Sequence, residues 1–327
     1  MNKLPRVSII IPAYNYGRYL LRALESVREQ SYKNIEICLT NDGSTDDTDR
    51  VIRRFIEENP DIPFAYIKQE NQGLSAARNA AIARSRGEYL CFLDADDILK
   101  PECVETLLDY SEKYPTAEII SGGCEALEFD PHGLLISQEV FSNQKIEFLL
   151  PRDAFEKLFY QNLLGMISVL VAKKVFDQTG GFDQNLRSCE DLDFWLKASR
   201  HAPILLVPEV LGIVYKYPEG LSRVPHRLYR DMTYIFRRNK EYLFQNYPGS
   251  APAIYRKALV ISHLIALDLY RSSSMKHPFR WLYHLLGVLI YMPSLVFSRK
   301  ARKRLQAERS GLAGNPHFTV GDGNNGS

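Results

Sequence analysis

Over the first hundred residues, short apolar runs alternate with helical stripes. Val7-Ser8-Ile9-Ile10-Ile11 is a β-branched run closed by Pro12, which predicts a strand running into a loop. Tyr16, Tyr19, Leu20, Ala23, Leu24 and Val27 then recur at helical spacing. Residues 35–39 predict a second strand, ended by Asn41-Asp42-Gly43-Ser44-Thr45-Asp46-Asp47, where Ser44 or Thr45 is expected to cap a helix presenting Val51, Ile52, Phe55 and Ile56. Residues 64–67 predict a third strand, 74–83 an Ala-rich helix and 89–93 a fourth strand. Strand and helix alternating with short connections call for an α/β fold in which helices cover a parallel sheet. Ligands of such sheets bind beyond the carboxyl ends of the strands. The polar residues concentrate there, in loops 12–17, 41–47, 71–73 and 94–97.

The rhythm breaks after Pro101. A helix carrying Val104, Leu107 and Leu108 leads to Ile119-Ile120, and residues 134–140, 167–171 and 204–207 predict further strands among helices, an α+β second half. Gly180-Gly181-Phe182-Asp183 predicts a turn before Cys189-Glu190-Asp191-Leu192-Asp193-Phe194-Trp195-Leu196, a helical face with acids in its first turn. Those acids suit the helix dipole as well as they suit chemistry. From about residue 224 the pattern is helical again. Residues 281–298 contain no Asp, Glu, Lys or Arg and are flanked by Arg280 and by Arg299, Lys300, Arg302, Lys303 and Arg304. That length sits at the lower edge of a membrane span, and Pro293 weakens a simple one; an interfacial segment and a packed helix stand beside it. The Gly- and Asn-rich end, 311–327, predicts disorder. The expected organisation is 1–222 as one catalytic domain (nucleotide-binding half 1–100, acceptor half 101–222), 223–310 as a helical region and 311–327 as a tail.

Composition narrows the field. Lys plus Arg number 41 against 39 Asp plus Glu, so no bulk charge recommends a nucleic-acid partner. The five cysteines are scattered, and Cys38 and Cys91 fall inside predicted strands; with a strand beginning at Val7, this favours a reducing, cytoplasmic setting.

The concentrated chemistry lies in Leu93-Asp94-Ala95-Asp96-Asp97, where a buried strand ends in carboxylates. If extended geometry persisted, Asp94 and Asp96 would share a side. Two readings are open from the residues alone: a seat for a hard divalent cation, or an acidic turn that stops the strand and caps the next helix.

Taken together, the loops resemble those of the family 2 nucleotide-sugar glycosyltransferases of the bacterial polysaccharide and glycolipid type. The matching pieces are Val7-Ser8-Ile9-Ile10-Ile11-Pro12-Ala13-Tyr14-Asn15, Asn41-Asp42-Gly43-Ser44-Thr45-Asp46, Gly73-Leu74-Ser75-Ala76-Ala77-Arg78-Asn79, Leu93-Asp94-Ala95-Asp96-Asp97, and Gly180-Gly181-Phe182-Asp183 followed by Glu190-Asp191. The resemblance covers about residues 5–220 and implies the GT-A fold, a Rossmann-like mixed sheet flanked by helices, with the helical C-terminal region as an extension. It implies that Pro12, Tyr14 and Asp42 lie against the nucleotide base, with Asp42 accepting from a ring N–H, and that Asn15 belongs to the nucleotide site. Asn41 stands where many relatives carry a second Asp. Gly73 is implied to allow close backbone approach, and Arg78 and Asn79 to fix the loop beside the nucleotide, a structural ion pair being the other reading of Arg78. Asp94 is implied near the ribose or diphosphate, Asp96 as the ligand of Mg²⁺ or Mn²⁺, and Lys216 near the diphosphate, although an exposed strand lysine explains it too.

The implied activity is metal-dependent, inverting transfer from a nucleoside-diphosphate sugar, UDP-linked, to a hydroxyl of a glycan or lipid-linked acceptor, with Asp191 as general base and Glu190 as its neighbour or substitute. The Gln-x-x-Arg-Trp element of processive members is absent from the sequence, so transfer of one or a few sugars is expected. The basic C-terminal region would give peripheral contact with the inner face of the plasma membrane. Two alternatives stand: an Asp94-nucleophile phosphohydrolase, which would place its acidic loop after the first strand rather than the fourth, and a non-catalytic nucleotide-sugar-binding or membrane scaffold, which could dispense with Glu190-Asp191.

Overall fold

The computed structural model describes residues 4–160, 162–217, 225–272 and 283–288. The strand and helix rhythm of the first hundred residues appears as β1 (Val7–Ala13), α1 (Gly17–Arg28), β2 (Ile35–Asp42), α2 (Thr48–Glu58), β3 (Phe64–Gln69), α3 (Leu74–Arg84) and β4 (Tyr89–Phe92). Every residue of β1 and β2 is buried, which explains their near-continuous apolar runs. Pairing is parallel throughout this half: Val7 faces Ile35 on β2 and Tyr89 on β4, and Ile37 faces Phe64 on β3.

Then come β5 (Ile98–Leu99), α4 (Cys103–Lys113), β6 (Ile119–Phe129), β7 (Leu135–Phe141), β8 (Glu147–Leu149), α5 (Pro151–Leu158), β9 (Val169–Ala172), α6 (Lys173–Thr179), α7 (Glu190–Ala198) and β10 (Ile204–Lys216). β9 runs antiparallel between β4 and β6, and the sheet reads β3-β2-β1-β4-β9-β6-β10-β5, with β7 on β6 and β8 on β10. The mixed, ten-stranded sheet fits the α/β expectation. Its core draws Val7, Ile9 and Ile11 of β1, Leu20, Leu24 and Val27 of α1, and Leu107 of α4 into one cluster.

Three sequence expectations change. The helix after β2 starts at Thr48, and Asp46 rather than Ser44 or Thr45 serves its entry, Asp46 Oδ1 accepting the Thr48 N–H at 3.0 Å. The strand expected around Ile119-Ile120 continues to Phe129, and that expected over 204–207 continues to Lys216 with register shifts at Val210. Extended geometry does not persist past β4: the Asp97 N–H returns to the Asp94 carbonyl at 3.1 Å, closing a turn.

The chain divides into two compact units, Met1–Ala154 with Leu164–Asn185 and Lys197–Pro218, and Phe155–Leu163 with Leu186–Leu196 and Glu219–Ser327. The second includes α8 (Pro225–Asn246) and α9 (Ala251–Ser272). Val288, in the short helical stretch 283–288, clusters with Val260 and Leu267 of α9, with Leu285 packed alongside. Among the described residues, no helix is long and apolar enough to cross a membrane. The tail 311–327 and the rest of the uncharged run 281–298 lie outside the described residues.

Candidate active site

β1, β2, β3 and β4 are adjacent and parallel, so topology alone brings the loops after them to one edge of the sheet. The first two are laced together. The Asn15 N–H donates to Ser44 Oγ at 2.9 Å, and Asn15 Oδ1 accepts the Thr45 N–H at 2.8 Å. The Tyr16 N–H donates to Thr48 Oγ1 and the Gly17 N–H to Asp46 Oδ2. Asn15 holds φ 57°, a left-handed conformation that Asn tolerates better than most residues. Pro12 is buried opposite Thr40, whereas Tyr14 is 45% exposed. Asn41 shapes the second loop, its Oδ1 accepting the Ser44 N–H at 2.9 Å.

Asp42 lies at the end of β2, 2% exposed. Its Oδ1 accepts Gln69 Nε2 at 2.7 Å and the Gln72 N–H at 2.9 Å, while Oδ2 accepts the Gly73 N–H at 2.8 Å. The carboxylate therefore organises the loop after β3, and of its roughly four lone-pair directions it retains about one for a ligand. Gly73 precedes α3 with φ 95° and ψ 168°, a backbone conformation essentially reserved for glycine.

Arg78 and Asn79, adjacent on α3, point to different tasks. Arg78 is 1% exposed and donates from Nη2 to Asp94 Oδ1 at 2.7 Å. Asn79 makes a two-way bond with Phe182 of the Gly-Gly-Phe-Asp turn, giving Nδ2 to its carbonyl at 2.8 Å and taking its N–H at 3.0 Å. A turn from the middle of the chain is thereby pinned to the helix that carries the Asp94 partner.

The acidic turn itself is crowded. Asp97 is 1% exposed and accepts the Tyr215 N–H of β10 at 3.0 Å. Burial, then the charge of Asp94, pushes the Asp96 carboxyl up to about 7, against the lowering influence of Arg22 and a hydrogen bond from Tyr16. Burial, then Asp96 and Asp94, raises Asp97 well above the carboxylate range, and burial, then Asp96, raises the Tyr16 phenol. Asp96 and Asp97, raised by burial first and by the neighbouring carboxylates second, form with Asp94 a crowded acidic turn whose charge a divalent cation would offset. Among the described residues no three His, Cys, Asp or Glu side chains form a ready cage. Asp96 is the residue of the turn that would hold a divalent cation, with no complete protein cage beside it.

Arg22 is a residue the sequence pattern did not single out. Its Nη2 donates to the Asp96 carbonyl at 2.7 Å, and its guanidinium carbon lies 3.5 Å from the Tyr215 ring centroid. Tyr215 and Tyr217 stack with Phe129 of β6, and Tyr217 also stacks on Tyr19, one helical turn before Arg22. Lys216 alternates to the other face of β10 and lies 5.3 Å from the Phe141 ring.

Glu190 and Asp191 open α7 and, within the second unit, lie in the segment Leu186–Leu196. Asp191 is 5% exposed; its Oδ2 accepts Asn162 Nδ2 at 3.1 Å and its Oδ1 accepts the Leu192 N–H at 2.7 Å. Asn162 carried no signal in the sequence. Cys189, just before, holds φ 57°.

Comparison with known proteins agrees with this architecture. Residues 8–154 match the model of glycosyl transferase family 2. Chondroitin synthase of Escherichia coli is 31% identical over 207 residues, 62% of this chain and 28% of that protein. The chain spans less than two thirds of the curated relatives it first matches. Among solved structures, Staphylococcus aureus TarS 1–349 in complex with UDP superposes with a TM-score of 0.65 at 18% identity, over 95% of this chain and 89% of that one. The mannosyltransferase PcManGT of Pyrobaculum calidifontis, in complex with GDP-Man and Mn²⁺, gives 0.58 at 18% identity, over 95% and 87%. Both likenesses concern the fold. Residues 8–154 thus match glycosyl transferase family 2, and the fold is GT-A.

Proposed function

We propose that the protein transfers a sugar from a nucleoside diphosphate, UDP in the first instance, to a hydroxyl of a glycan or lipid-linked acceptor, with inversion at the anomeric carbon and without processive chain extension. The observation that carries the reading is the crowded turn Asp94-Asp96-Asp97 at the carboxyl end of β4, a strand end at which ligands of such sheets bind. The solved neighbours with UDP and with GDP-Man and Mn²⁺ lend support through their shared fold.

In this reading the laced loops of Pro12, Tyr14 and Asn15 receive the nucleotide base together with Asp42, whose remaining lone pair accepts a ring N–H. Gly73, lacking a side chain, lets the backbone approach the nucleotide. Arg78 acts through Asp94, aligning that carboxylate toward the ribose or diphosphate, and Asn79 steadies the neighbouring turn. Asp96 would hold a divalent cation, Mg²⁺ or Mn²⁺, which when bound offsets the negative charge gathering on the departing diphosphate. Lys216 would add a positive charge near it only by reaching round from the face of β10 opposite Tyr215, where it lies beside Phe141. Asp191 takes the proton of the acceptor hydroxyl, with Glu190 beside it, as the acceptor oxygen bonds to the anomeric carbon. The bond from that carbon to the diphosphate oxygen breaks, and the leaving group keeps the electron pair. The acceptor reading includes peripheral contact with the inner face of a membrane, supported by the basic residues around 299–304.

The test is a panel of UDP-, GDP- and dTDP-sugars, scored by thermal stabilisation and by release of nucleoside diphosphate, each with and without Mn²⁺. A protein that no nucleoside diphosphate stabilises, with or without metal, would overturn the proposal. Binding without release in the presence of glycan acceptors would favour the scaffold alternative.

A further inference from the structure

The stretch that carries Glu190 and Asp191 is held by the C-terminal helix α8, from outside its own segment of chain. Asp231 of α8 is 3% exposed, and its Oδ2 accepts the Arg187 N–H at 3.0 Å, the Ser188 N–H at 3.1 Å and the Ser188 hydroxyl at 3.1 Å. Arg230 Nε donates to its other oxygen at 2.7 Å. Two helical turns further along α8, Arg238 pairs with Asp193, which is fully buried. The same helix thus grips the chain just before and just after Glu190-Asp191. Between the grips, Cys189 is 5% exposed and held at φ 57°, a conformation that L residues with a side chain rarely keep unless their surroundings impose it. All of these residues belong to one compact unit.

We propose that Asp231 and Arg238 are positioning residues for Glu190-Asp191, so that helix α8 is a working part of the transfer site and not only an extension of it. The inference rests on the reading of Asp191 as the base. Three hydrogen bonds on one carboxylate oxygen set the path of Arg187 and Ser188, that path delivers the left-handed Cys189, and Cys189 sets the direction in which Asp191 leaves the first turn of α7. Asn162 then fixes the Asp191 carboxylate from the other side. An ordinary stabilising contact would need neither the left-handed residue nor the second grip.

The experiment uses the full chain and the donor selected by the nucleotide-sugar panel, with Asp231→Asn, Arg238→Lys, Arg238→Met, Asp191→Asn and the double variant Asp231→Asn/Asp191→Asn. Hydrogen–deuterium exchange over residues 186–193 is read beside nucleoside diphosphate release. We expect Asp231→Asn to speed exchange over 186–193 at least tenfold while loops 12–17 and 71–73 are unchanged. It should lower kcat between tenfold and a hundredfold with the donor KM within twofold. In the Asp191→Asn background it should cost nothing more, because a group that acts through another has no effect once that other is gone. Arg238→Lys keeps the charge and should retain more than half of kcat, whereas Arg238→Met removes the second grip, should lower kcat at least tenfold with the donor KM within twofold, and carries the exchange and KM tests if Asp231→Asn does not fold. For Asp231→Asn, or for Arg238→Met in its place, unchanged exchange over 186–193, a kcat within twofold of the parent, or an equal further loss in the Asp191→Asn background would each overturn the inference. Full turnover by Asp191→Asn would instead remove the base assignment beneath it.

Discussion

Asp42→Asn asks whether this carboxylate works on the nucleotide directly or through the loop it organises. The parent side chain accepts three N–H donors, from Gln69, Gln72 and Gly73. An asparagine oriented to keep Gln69 and Gln72 turns its amide N–H₂ toward the Gly73 N–H, which loses its acceptor and meets a donor. Leaving that half-buried donor unmatched costs about 1–2 kcal/mol, and reducing the other two bonds from charge-assisted to neutral costs roughly 1 kcal/mol each. The sum, about 3–4 kcal/mol, is between two and three orders of magnitude in the local opening equilibrium of the loop after β3. Hydrogen–deuterium exchange of the Gln72 and Gly73 amides should therefore quicken by about two to three orders of magnitude. Nucleoside diphosphate affinity, followed by calorimetry, should fall with it. Exchange changed less than threefold would refute the claim that Asp42 organises the loop. If affinity fell while exchange stayed the same, Asp42 would act by contact with the base alone.

Three further expectations follow from the same geometry. Arg78→Met leaves Asp94 without its buried partner and should destabilise the protein by about 3–5 kcal/mol, read as a lower urea midpoint at unchanged slope. The Asp96 carboxyl, raised in the folded protein to about 7, contributes stability that is complete below its unfolded value and is lost as pH rises through 7. Mn²⁺ acts against that loss: its affinity should rise about tenfold between pH 6 and pH 8, as the ionised fraction of a group titrating near 7 does, and a pH-independent affinity by calorimetry would remove Asp96 from the metal site. Arg22→Met removes the donor to the Asp96 carbonyl and the cover of the Tyr215 ring; hydrogen exchange of the Asp97 amide should quicken at least tenfold, while Arg22→Lys should lose less, since a point charge keeps part of the attraction but not the flat stack, and unchanged exchange would refute the bracing role.

The first hundred residues of the fold were legible because their strands are short, with β1 and β2 buried along their whole length, and separated by strongly polar loops, so apolar runs and loop chemistry coincide. The entry to α2 was not legible, since Ser44, Thr45 and Asp46 all offer an oxygen and only the path of the loop brings that of Asp46 to the Thr48 N–H. The length of β6 was hidden by Gly122-Gly123, which looks like punctuation in a sequence. In the fold Gly123 is where the chain after β7 approaches, and a Cβ there would meet the Phe141 carbonyl oxygen at 2.3 Å. Of the site, the residues on the loops were visible and those that brace them were not. Arg22 lies 74 residues from Asp96, and Asp231 lies 44 from Arg187, both on amphipathic helices where a charged residue ordinarily means only a wet face. Asn162 has no local pattern at all.

The lacing of the loop after β1 to the loop after β2 has a thermodynamic consequence. Asn15, Tyr16 and Gly17 are tied to Ser44, Thr45, Asp46 and Thr48 before any ligand arrives. The conformational entropy of that wall is therefore lost during folding, and a nucleotide that docked there, as proposed, would not have to order it again. Association at that wall should be fast and insensitive to viscosity beyond simple diffusion. Lengthening either loop by even one residue should slow binding more than it weakens the fold, because neither loop has an independent conformation to fall back on.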